Sequence, residues 1–220
     1  MQFNNIKIMD DIIFNNTSDE FNFLSNFSIY PIFIDKQSWR SVEHFYQASK
    51  FEEPEVREMI RNVSSPFDLI EKGHKHGRIL KNWDEIKGEV MEKALIGKFL
   101  QYPQLKNKLL NTGLSNRIIY VSVDRFWGED KDGKGENNLG RLLMKVRTLL
   151  REITINNWIL PPWIPFKDIA QEDMFWRMGL GESYIMEWAK WYYSLGVIER
   201  KNYEEYYPAN EEWNDFYSDY

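Results

Sequence analysis

The chain has 220 residues, of which 43% are hydrophobic and 28% charged. It can therefore bury a core, and a wholly disordered protein is excluded. It contains no cysteine and only three histidines, which excludes disulfides, thiolate ligands and a cysteine nucleophile and disfavours a zinc site. There is no apolar run of membrane-spanning length and no secretory signal pattern, and the net charge of −6 argues against avid duplex binding. We expect a cytoplasmic protein.

Local signals in chain order predict short strands and helices without regular β-α-β alternation. Branched and aromatic runs predict strands at residues 12–14, 29–34 and 117–123, with a turn at 35–38. Caps and apolar spacing predict helices at residues 42–51, 54–62, 66–73, 103–111, 139–150 and 182–195, and a long helix that begins with a capping box at residues 82–85. The fold class is therefore α+β, mainly helical, with a small set of short strands.

The end of the chain differs in composition from the rest. Residues 152–220 carry a net charge of −8 and hold six of the nine Trp and eight of the twelve Tyr, whereas residues 1–151 carry +2. Three prolines between residues 161 and 165 mark a boundary. We predict a catalytic domain over residues 1–152 and a helical, acidic, aromatic-rich extension over residues 153–220 packed on it.

The extension has an aromatic stripe at helical spacing, formed by Ile185, Trp188, Trp191 and Tyr192. The favoured interpretation is that this stripe docks on the catalytic domain as ordinary core. The alternative is that the extension narrows the substrate site or forms a protein interface.

A carboxylate, an amide and an amine follow one face of the helix that begins after Ser41. Glu43, Gln47 and Lys50 stand at positions i, i+4 and i+7, so they share that face. A solvated face, with Glu43 serving the helix dipole, is the ordinary explanation and is favoured from these residues alone.

Two later segments combine glycine with charge. Residues 73–83 place two histidines, Arg78 and Lys81 before Trp83, an arrangement that suits an anion, although a basic loop with Trp83 as a core anchor is the better explanation. In residues 124–140, Asp124 ends a strand and a Gly-x-Gly loop then leads into a helix. Such a loop can turn backbone N–H groups toward a phosphate, and a tight turn explains it equally well. Its acidic residues do not have the spacing of a calcium loop.

Together these segments resemble the NADAR family of YbiA-like N-glycosidases. The family pattern has a Ser-Asn-Phe segment, a Glu-His-aromatic-aromatic-Gln-Ala-x-Lys-Phe helix, a tryptophan that opens a long helix, and Asp-x-x-Trp-Gly followed by Gly-x-Gly-x-Asn-x-Leu-Gly. These motifs correspond in order to residues 25–27, 43–51, 83, 124–128 and 133–140. The resemblance runs from about residue 12 to residue 152, and the extension lies outside it.

The resemblance implies hydrolysis of an N-glycosidic bond to ribose, with no metal and no other cofactor. For the YbiA type, the implied substrates are ribosylaminopyrimidine phosphates, which are early intermediates of riboflavin biosynthesis. Other members remove ADP-ribose from guanine in nucleic acid, and a non-catalytic module that binds ADP-ribose is a further alternative. The implied partner is a small ribosyl phosphate, with nucleic acid only under the alternative.

The catalytic positions that the resemblance implies are Glu43, Trp83 and Asp124. Because cleavage builds positive charge on ribose and needs a proton on the leaving nitrogen, two carboxyl groups suit the reaction. Glu43 is assigned to the ribose side and Asp124 to the proton or to a ribose hydroxyl, and the two roles are exchangeable. Trp83 would stack on the heterocycle, whereas Lys50 and the Gly-x-Gly loop would hold the phosphate. The expected substrate-binding residues are Asn26, Phe27, His44, Gln47, Lys50, Arg78, Trp127, Gly133, Lys134, Gly135 and Asn137.

Overall fold

The computed structural model describes residues 11–17, 20–69, 77–154 and 158–220 and has a mainly helical α+β fold. The strands within these residues are β1 (Ile12–Phe14), β2 (Ile32–Ile34), β3 (Gln37–Trp39) and β4 (Ile118–Tyr120). The α-helices within them are α1 (Val42–Ala48), α2 (Pro54–Arg61), α3 (Trp83–Gln101), α4 (Pro103–Leu110), α5 (Asn138–Ile153), α6 (Gly179–Ser194) and α7 (Val197–Tyr206). None of the helices in the described ranges is both long enough and apolar enough to cross a membrane.

The strands form two small sheets. β1 pairs in parallel with β4, and β2 pairs with β3 as an antiparallel hairpin. Asp35 and Lys36, at the tip of this hairpin, both have positive φ angles of 53° and 60°, as a two-residue type I′ turn requires. The prediction of a turn here was correct, but it missed β3, because a three-residue strand with two polar residues has little local signal.

The predicted helices are present, but some of their ends differ. The Ser41 hydroxyl accepts a hydrogen bond from the His44 N–H at 3.3 Å and so caps α1 as predicted. The predicted capping box was wrong, because the side chain of Asn82 makes no capping hydrogen bond to α3. The helix predicted from residue 66 begins with a 3₁₀ turn at Pro66–Asp68, and Leu69 after it is helical. The predicted end of that helix, at residue 73, lies outside the described residues.

The buried side chains form two clusters. The first joins strands β1 to β4 to helices α1 to α5 and includes Phe14, Trp39 and Phe99. The second lies within the extension and is largely aromatic. The ring of Trp188 contacts five other rings, all of the extension: Tyr192, Tyr203, Phe216, Tyr217 and Tyr220. The stripe on α6 therefore packs into the extension's own core. The expectation was that it would dock on the catalytic domain.

The extension contacts the rest of the chain near the C-terminal end of α3 and on α4. The ammonium group of Lys106, on α4, donates to the Trp158 carbonyl at 2.6 Å, and the rings of Phe33 and Phe175 lie 4.8 Å apart. Trp83 opens α3 at its other end, about 27 Å away along the helix axis at 1.5 Å per residue. These contacts therefore lie far from Trp83. The position of the domain boundary at residue 152 stays a prediction.

Candidate active site

Glu43 is held in the first turn of α1 by two side-chain amides. Its side chain is buried, with 3% of the residue exposed. The amide of Gln47, one turn further along, donates to Oε1 at 2.6 Å, and the amide of Asn26 donates to Oε2. Both oxygens of the carboxyl group are therefore fixed in place by uncharged donors. The solvated-face interpretation of this helix was wrong, because every residue of α1 is buried.

The surroundings of Glu43 raise its pKa. Burial is the main cause and raises the pKa from 4.5 to about 7. The hydrogen bond from Gln47, the charge of Lys50 and the hydrogen bond from Asn26 oppose this rise, whereas the charge of Asp124 adds to it. A carboxyl group with a pKa near 7 can both donate and accept a proton at neutral pH, which is the requirement for general acid–base catalysis.

Three aromatic side chains form a wall beside Glu43. The ring of Tyr46 lies 5.0 Å from the ring of Trp83 and 5.5 Å from that of Trp127. The indole N–H of Trp127 donates to the Tyr46 hydroxyl at 3.2 Å. Burial of Tyr46 raises its pKa, so its hydroxyl stays protonated at neutral pH. The wall is therefore a rigid, uncharged surface to one side of the carboxyl group.

Asp124 enters this region from the loop after β4. It is exposed, and its Oδ1 accepts hydrogen bonds from the backbone N–H groups of Phe126 and Trp127 at 3.0 and 3.2 Å. Its negative charge acts on the titration of Glu43, Tyr46 and Lys50. The structure thus brings Glu43, Trp83 and Asp124 into one region, although 81 positions separate the first from the last.

Two lysines contribute positive charge to the same region. The ammonium group of Lys50 lies 5.3 Å from the centre of the Tyr46 ring and 5.8 Å from that of Trp83. Burial lowers the pKa of Lys50. The negative charges of Glu43 and Asp124 oppose this shift, and the like charge of Lys87 adds to it. Lys87 itself lies 3.8 Å from the centre of the Phe126 ring and forms an ion pair with Asp84 at 2.7 Å.

Asn26 connects the Ser-Asn-Phe segment to Glu43 through both backbone and side chain. Its carbonyl accepts from the Glu43 N–H at 2.9 Å, in addition to the side-chain contact described above. The other side-chain atom, Oδ1, is buried and accepts no hydrogen bond from the described residues. A buried acceptor without a donor is costly, so this atom is suited to a hydroxyl group of a ligand. The neighbouring Phe27 packs its ring 5.1 Å from that of Phe67.

Two predicted substrate-binding residues face the protein interior. His44 is fully buried, with Nδ1 2.7 Å from the Ser41 hydroxyl and Nε2 3.0 Å from the Val63 carbonyl. Asn137 accepts from the Tyr120 N–H at 3.0 Å and donates to the Ile118 carbonyl at 2.9 Å, which ties the start of α5 to β4. The side chains of both residues are occupied by these contacts, so the structure does not bring them to the site.

The Gly-x-Gly loop satisfies three of its backbone N–H groups internally. The carboxylate of Asp130 accepts from the backbone N–H groups of Asp132 and Lys134 at 3.0 and 2.9 Å. The N–H of Gly133 donates to the Asp130 carbonyl at 3.0 Å. A carboxylate therefore occupies the place that a phosphate cradle would leave for its ligand. The φ angles of 72° at Gly133 and 146° at Gly135 are those of a tight turn, and a phosphate-binding role for these glycines stays a prediction.

Arg78 is exposed and lies in the segment that pairs with the end of the α1 region, where Phe51 bridges to Ile79. It lines a shallow surface pocket together with Glu52, Glu53 and Lys81 rather than the wall of Tyr46 and Trp83. Arg78 therefore lies beside the residues that follow Lys50 in the chain and does not line the region around Glu43.

Sequence reasoning missed three residues of this region. Tyr46 stands three positions after Glu43, so the same helical spacing that selected Gln47 could have selected it. Tyr120 ends β4, and the charges of Glu43 and Asp124 both act on its titration. Lys87 follows Trp83 by four positions on α3, again one helical turn away.

A separate cleft of about 520 Å³ lies between α3 and the extension, lined by apolar side chains such as Phe33, Ile96, Leu100 and Phe166. It does not include Glu43 or Asp124. The lining also includes the carboxylates of Asp35, Glu89, Glu92 and Asp168. The two motif carboxylates, Glu43 and Asp124, lie in the region around α1 and not in this cleft.

Comparison with known proteins agrees with the motif pattern. A family model described as the NADAR domain matches residues 13–151. The N-glycosidase YbiA of Escherichia coli (strain K12) is 41% identical over 146 residues, covering 65% of this chain and 91% of the relative. The riboflavin biosynthesis protein PYRR, chloroplastic, of Zea mays is 35% identical over 153 residues, covering 62% of this chain and 25% of that protein. An NMR structure of the E. coli protein YbiA matches with a TM-score of 0.59 at 40% identity, over 66% of this chain and 88% of that one.

Proposed function

The chain belongs to the NADAR domain family, and we propose that it hydrolyses the bond between ribose phosphate and a heterocyclic amine in ribosylaminopyrimidine phosphates of riboflavin biosynthesis. The protein is a hydrolase acting on N-glycosyl bonds. It is 41% identical to an N-glycosidase, and the match covers 91% of that relative. The choice of substrate is supported by the similarity to the maize protein, whose name assigns it to riboflavin biosynthesis.

The observation that carries the mechanism is the buried carboxyl group of Glu43 with its pKa of about 7. Breaking the C–N bond requires a proton on the departing nitrogen, and a carboxyl group in an apolar site can hold that proton at neutral pH. We therefore assign the general acid to Glu43. The two amides that fix its oxygens would keep the proton directed at the leaving group.

Asp124 takes the second role. The sugar becomes positively charged as the bond breaks, and a nearby carboxylate stabilises that charge or orients the attacking water. Asp124 is exposed at the site, and its Oδ1 is fixed by two backbone N–H groups. The remaining oxygen of this carboxylate is then available to the sugar or to water.

The other residues of the region bind the substrate. Trp83 and Tyr46 provide the aromatic surface for the heterocycle, since planar heterocycles stack on aromatic rings. Asn26 Oδ1 accepts from a ribose hydroxyl. Lys50 and Lys87 supply the positive charge for the phosphate, in place of the Gly-x-Gly loop. In that loop the N–H groups of Asp132, Gly133 and Lys134 already have acceptors.

The test is incubation of the full chain with ribosylaminopyrimidine phosphate and, separately, with DNA that carries ADP-ribosylated guanine. Mass spectrometry would follow the release of ribose 5-phosphate and of ADP-ribose. We expect release from the small phosphate, and at least about 100-fold slower release by Glu43→Gln. Glu85→Gln, at an exposed position on α3, is the matched control and should retain the wild-type rate.

The alternatives give different results in the same experiment. Turnover of the DNA substrate alone would assign the activity to ADP-ribosylated guanine. Binding of ADP-ribose by both the wild type and Glu43→Gln, with no turnover of either substrate, would identify a non-catalytic binding module and contradict the proposal.

A further inference from the structure

A buried ammonium group lies beneath the segment that carries Asn26. Lys98, on α3, has no exposed surface, and its Nζ donates to the Ser25 carbonyl at 2.8 Å and to the Ser28 hydroxyl at 2.7 Å. Burial lowers its pKa to about 7, with no charged neighbour in the described residues contributing to that shift. The charge is thus held by two uncharged oxygens instead of by a carboxylate.

The Ser25–Ser28 turn connects Lys98 to Glu43. The Ser28 hydroxyl and the Ser28 N–H both donate to the Ser25 carbonyl, at 2.6 and 3.3 Å. On the opposite side of the turn, Asn26 accepts from the Glu43 N–H and donates its amide to the Glu43 carboxyl group. A displacement of the turn would therefore move the amide that holds Oε2 of Glu43.

Stability does not explain a lysine at this position. A buried ammonium group without a carboxylate is costly, and an apolar side chain of similar length would avoid that cost. The chain offers a close comparison in Lys106, which is also buried and also donates to a backbone carbonyl, that of Trp158. Lys106 joins α4 to the extension, whereas Lys98 faces the turn beneath the carboxyl group of Glu43.

We propose that Lys98 is a positioning residue for catalysis, which fixes the Ser25–Ser28 turn and thereby holds the amide of Asn26 against the carboxyl group of Glu43. The catalytic part of this proposal rests on the function proposed above. The contact itself can be tested without a substrate, because a hydrogen bond from Asn26 lowers the pKa of Glu43.

The first measurement is the titration of Glu43 by carbon-13 NMR in protein labelled at the glutamate carboxyl carbons, with Glu43→Gln to assign the signal. Lys98→Met should raise the pKa of Glu43, since the amide is no longer held in place, and Lys106→Met should leave it unchanged. Ser28→Ala keeps the charge and removes one of its acceptors. A smaller rise of the Glu43 pKa in Ser28→Ala would show that the effect is not due only to the lost charge of Lys98. The same variant provides the test if Lys98→Met does not fold. An unchanged pKa in both Lys98→Met and Ser28→Ala would overturn the proposal.

The second measurement is steady-state hydrolysis of ribosylaminopyrimidine phosphate. Lys98→Met should lower kcat by about 10-fold with little change in KM, because misplacement of a catalytic group affects the reaction step more than binding. Lys106→Met should match the wild type. Equal kcat in the two variants would contradict a positioning role. If the wild type releases no ribose 5-phosphate, the proposed function fails, while the NMR titration still decides whether Lys98 positions the amide.

Discussion

The chemistry of the candidate site depends on where single side chains are buried. Glu43 and Asp124 are both carboxylic acids near one aromatic wall, yet only Glu43 is buried, with its pKa raised to about 7. Two carboxyl groups in different surroundings can divide the acid and the charge-stabilising roles between them. This difference in burial is the reason for assigning the proton to Glu43, a choice that the sequence motif left open.

The pH dependence of hydrolysis should report this assignment. Because Glu43 must be protonated to act as the acid, kcat/KM should fall as the pH rises through about 7. Rates between pH 5 and 9 would locate this limb. A rate that instead rises through pH 7 would make Glu43 the base and exchange the roles of the two carboxyl groups.

Stability should depend on the same proton. The pKa of Glu43 is raised from 4.5 to about 7 in the folded protein, so between these values the folded state binds a proton that the unfolded state does not. The stabilisation is complete below pH 4.5 and is lost as the pH rises through 7, by about 3 kcal/mol in total. Lys98 does not interfere in this window, because its lowered pKa of about 7 makes it change stability mainly above pH 7.

Urea unfolding at pH 5 and pH 7.5 would measure this effect. The wild type should lose more free energy of unfolding between the two values than Glu43→Gln, which has no proton to release. Equal losses in the two proteins would mean that Glu43 titrates normally in the folded state.

Among the connecting segments, the loop at residues 130–135 shows how a motif can match a phosphate-binding pattern without the corresponding chemistry. Its glycines adopt the positive φ angles that such a loop needs, but the carboxylate of Asp130 accepts from the N–H groups of Asp132 and Lys134. The hydrogen bonds from these N–H groups also lower the pKa of Asp130. Helix α3, in contrast, brings Lys87 to the site one turn after Trp83.

Substitution of Lys87 and, separately, of Lys134 tests which of these two segments binds the phosphate. Lys87→Ala should raise KM for the ribosyl phosphate by about 10-fold, the effect of one lost charge-assisted hydrogen bond. Lys134→Ala should leave KM within about 2-fold, since Lys134 is exposed on the self-satisfied loop. A larger rise in KM for Lys134→Ala than for Lys87→Ala would return the phosphate to the Gly-x-Gly loop.

Across the fold, the acidic extension and the candidate site lie toward different ends of α3. The extension has an aromatic core of its own and contacts the catalytic part through Phe33, Leu100 and Lys106. None of these contacts involves Glu43, Trp83 or Asp124. The arrangement argues against the alternative that the extension narrows the substrate site and favours a structural role.

Removal of a central ring tests that role. Trp188 is fully buried among the rings of the extension, so Trp188→Ala should lower the free energy of unfolding by about 3–5 kcal/mol. At a temperature where the variant remains folded, kcat and KM should equal those of the wild type. Tyr193→Ala, at a half-exposed position on the same helix, is the control for stability. A change in substrate preference in Trp188→Ala would show that the extension acts on the site.

The sequence was sufficient for features that depend on neighbours in the chain. The Ser41 cap, the positions of α1 to α6 and the shared face of Glu43 and Gln47 all follow from helical spacing and local propensity. The order of motifs was likewise enough to recognise the family and its mainly helical fold.

Contacts between distant segments needed the tertiary structure. The burial that raises the pKa of Glu43, the approach of Asn26 and Trp127, and the placement of Lys98 beneath the Ser25–Ser28 turn each join residues from separate elements. Local patterns also could not show that His44 faces the interior, since its neighbour Glu43 on the same helix faces the site. Burial and hydrogen-bond partners depend on how elements pack, and packing is decided by the whole set of long-range contacts rather than by any one segment.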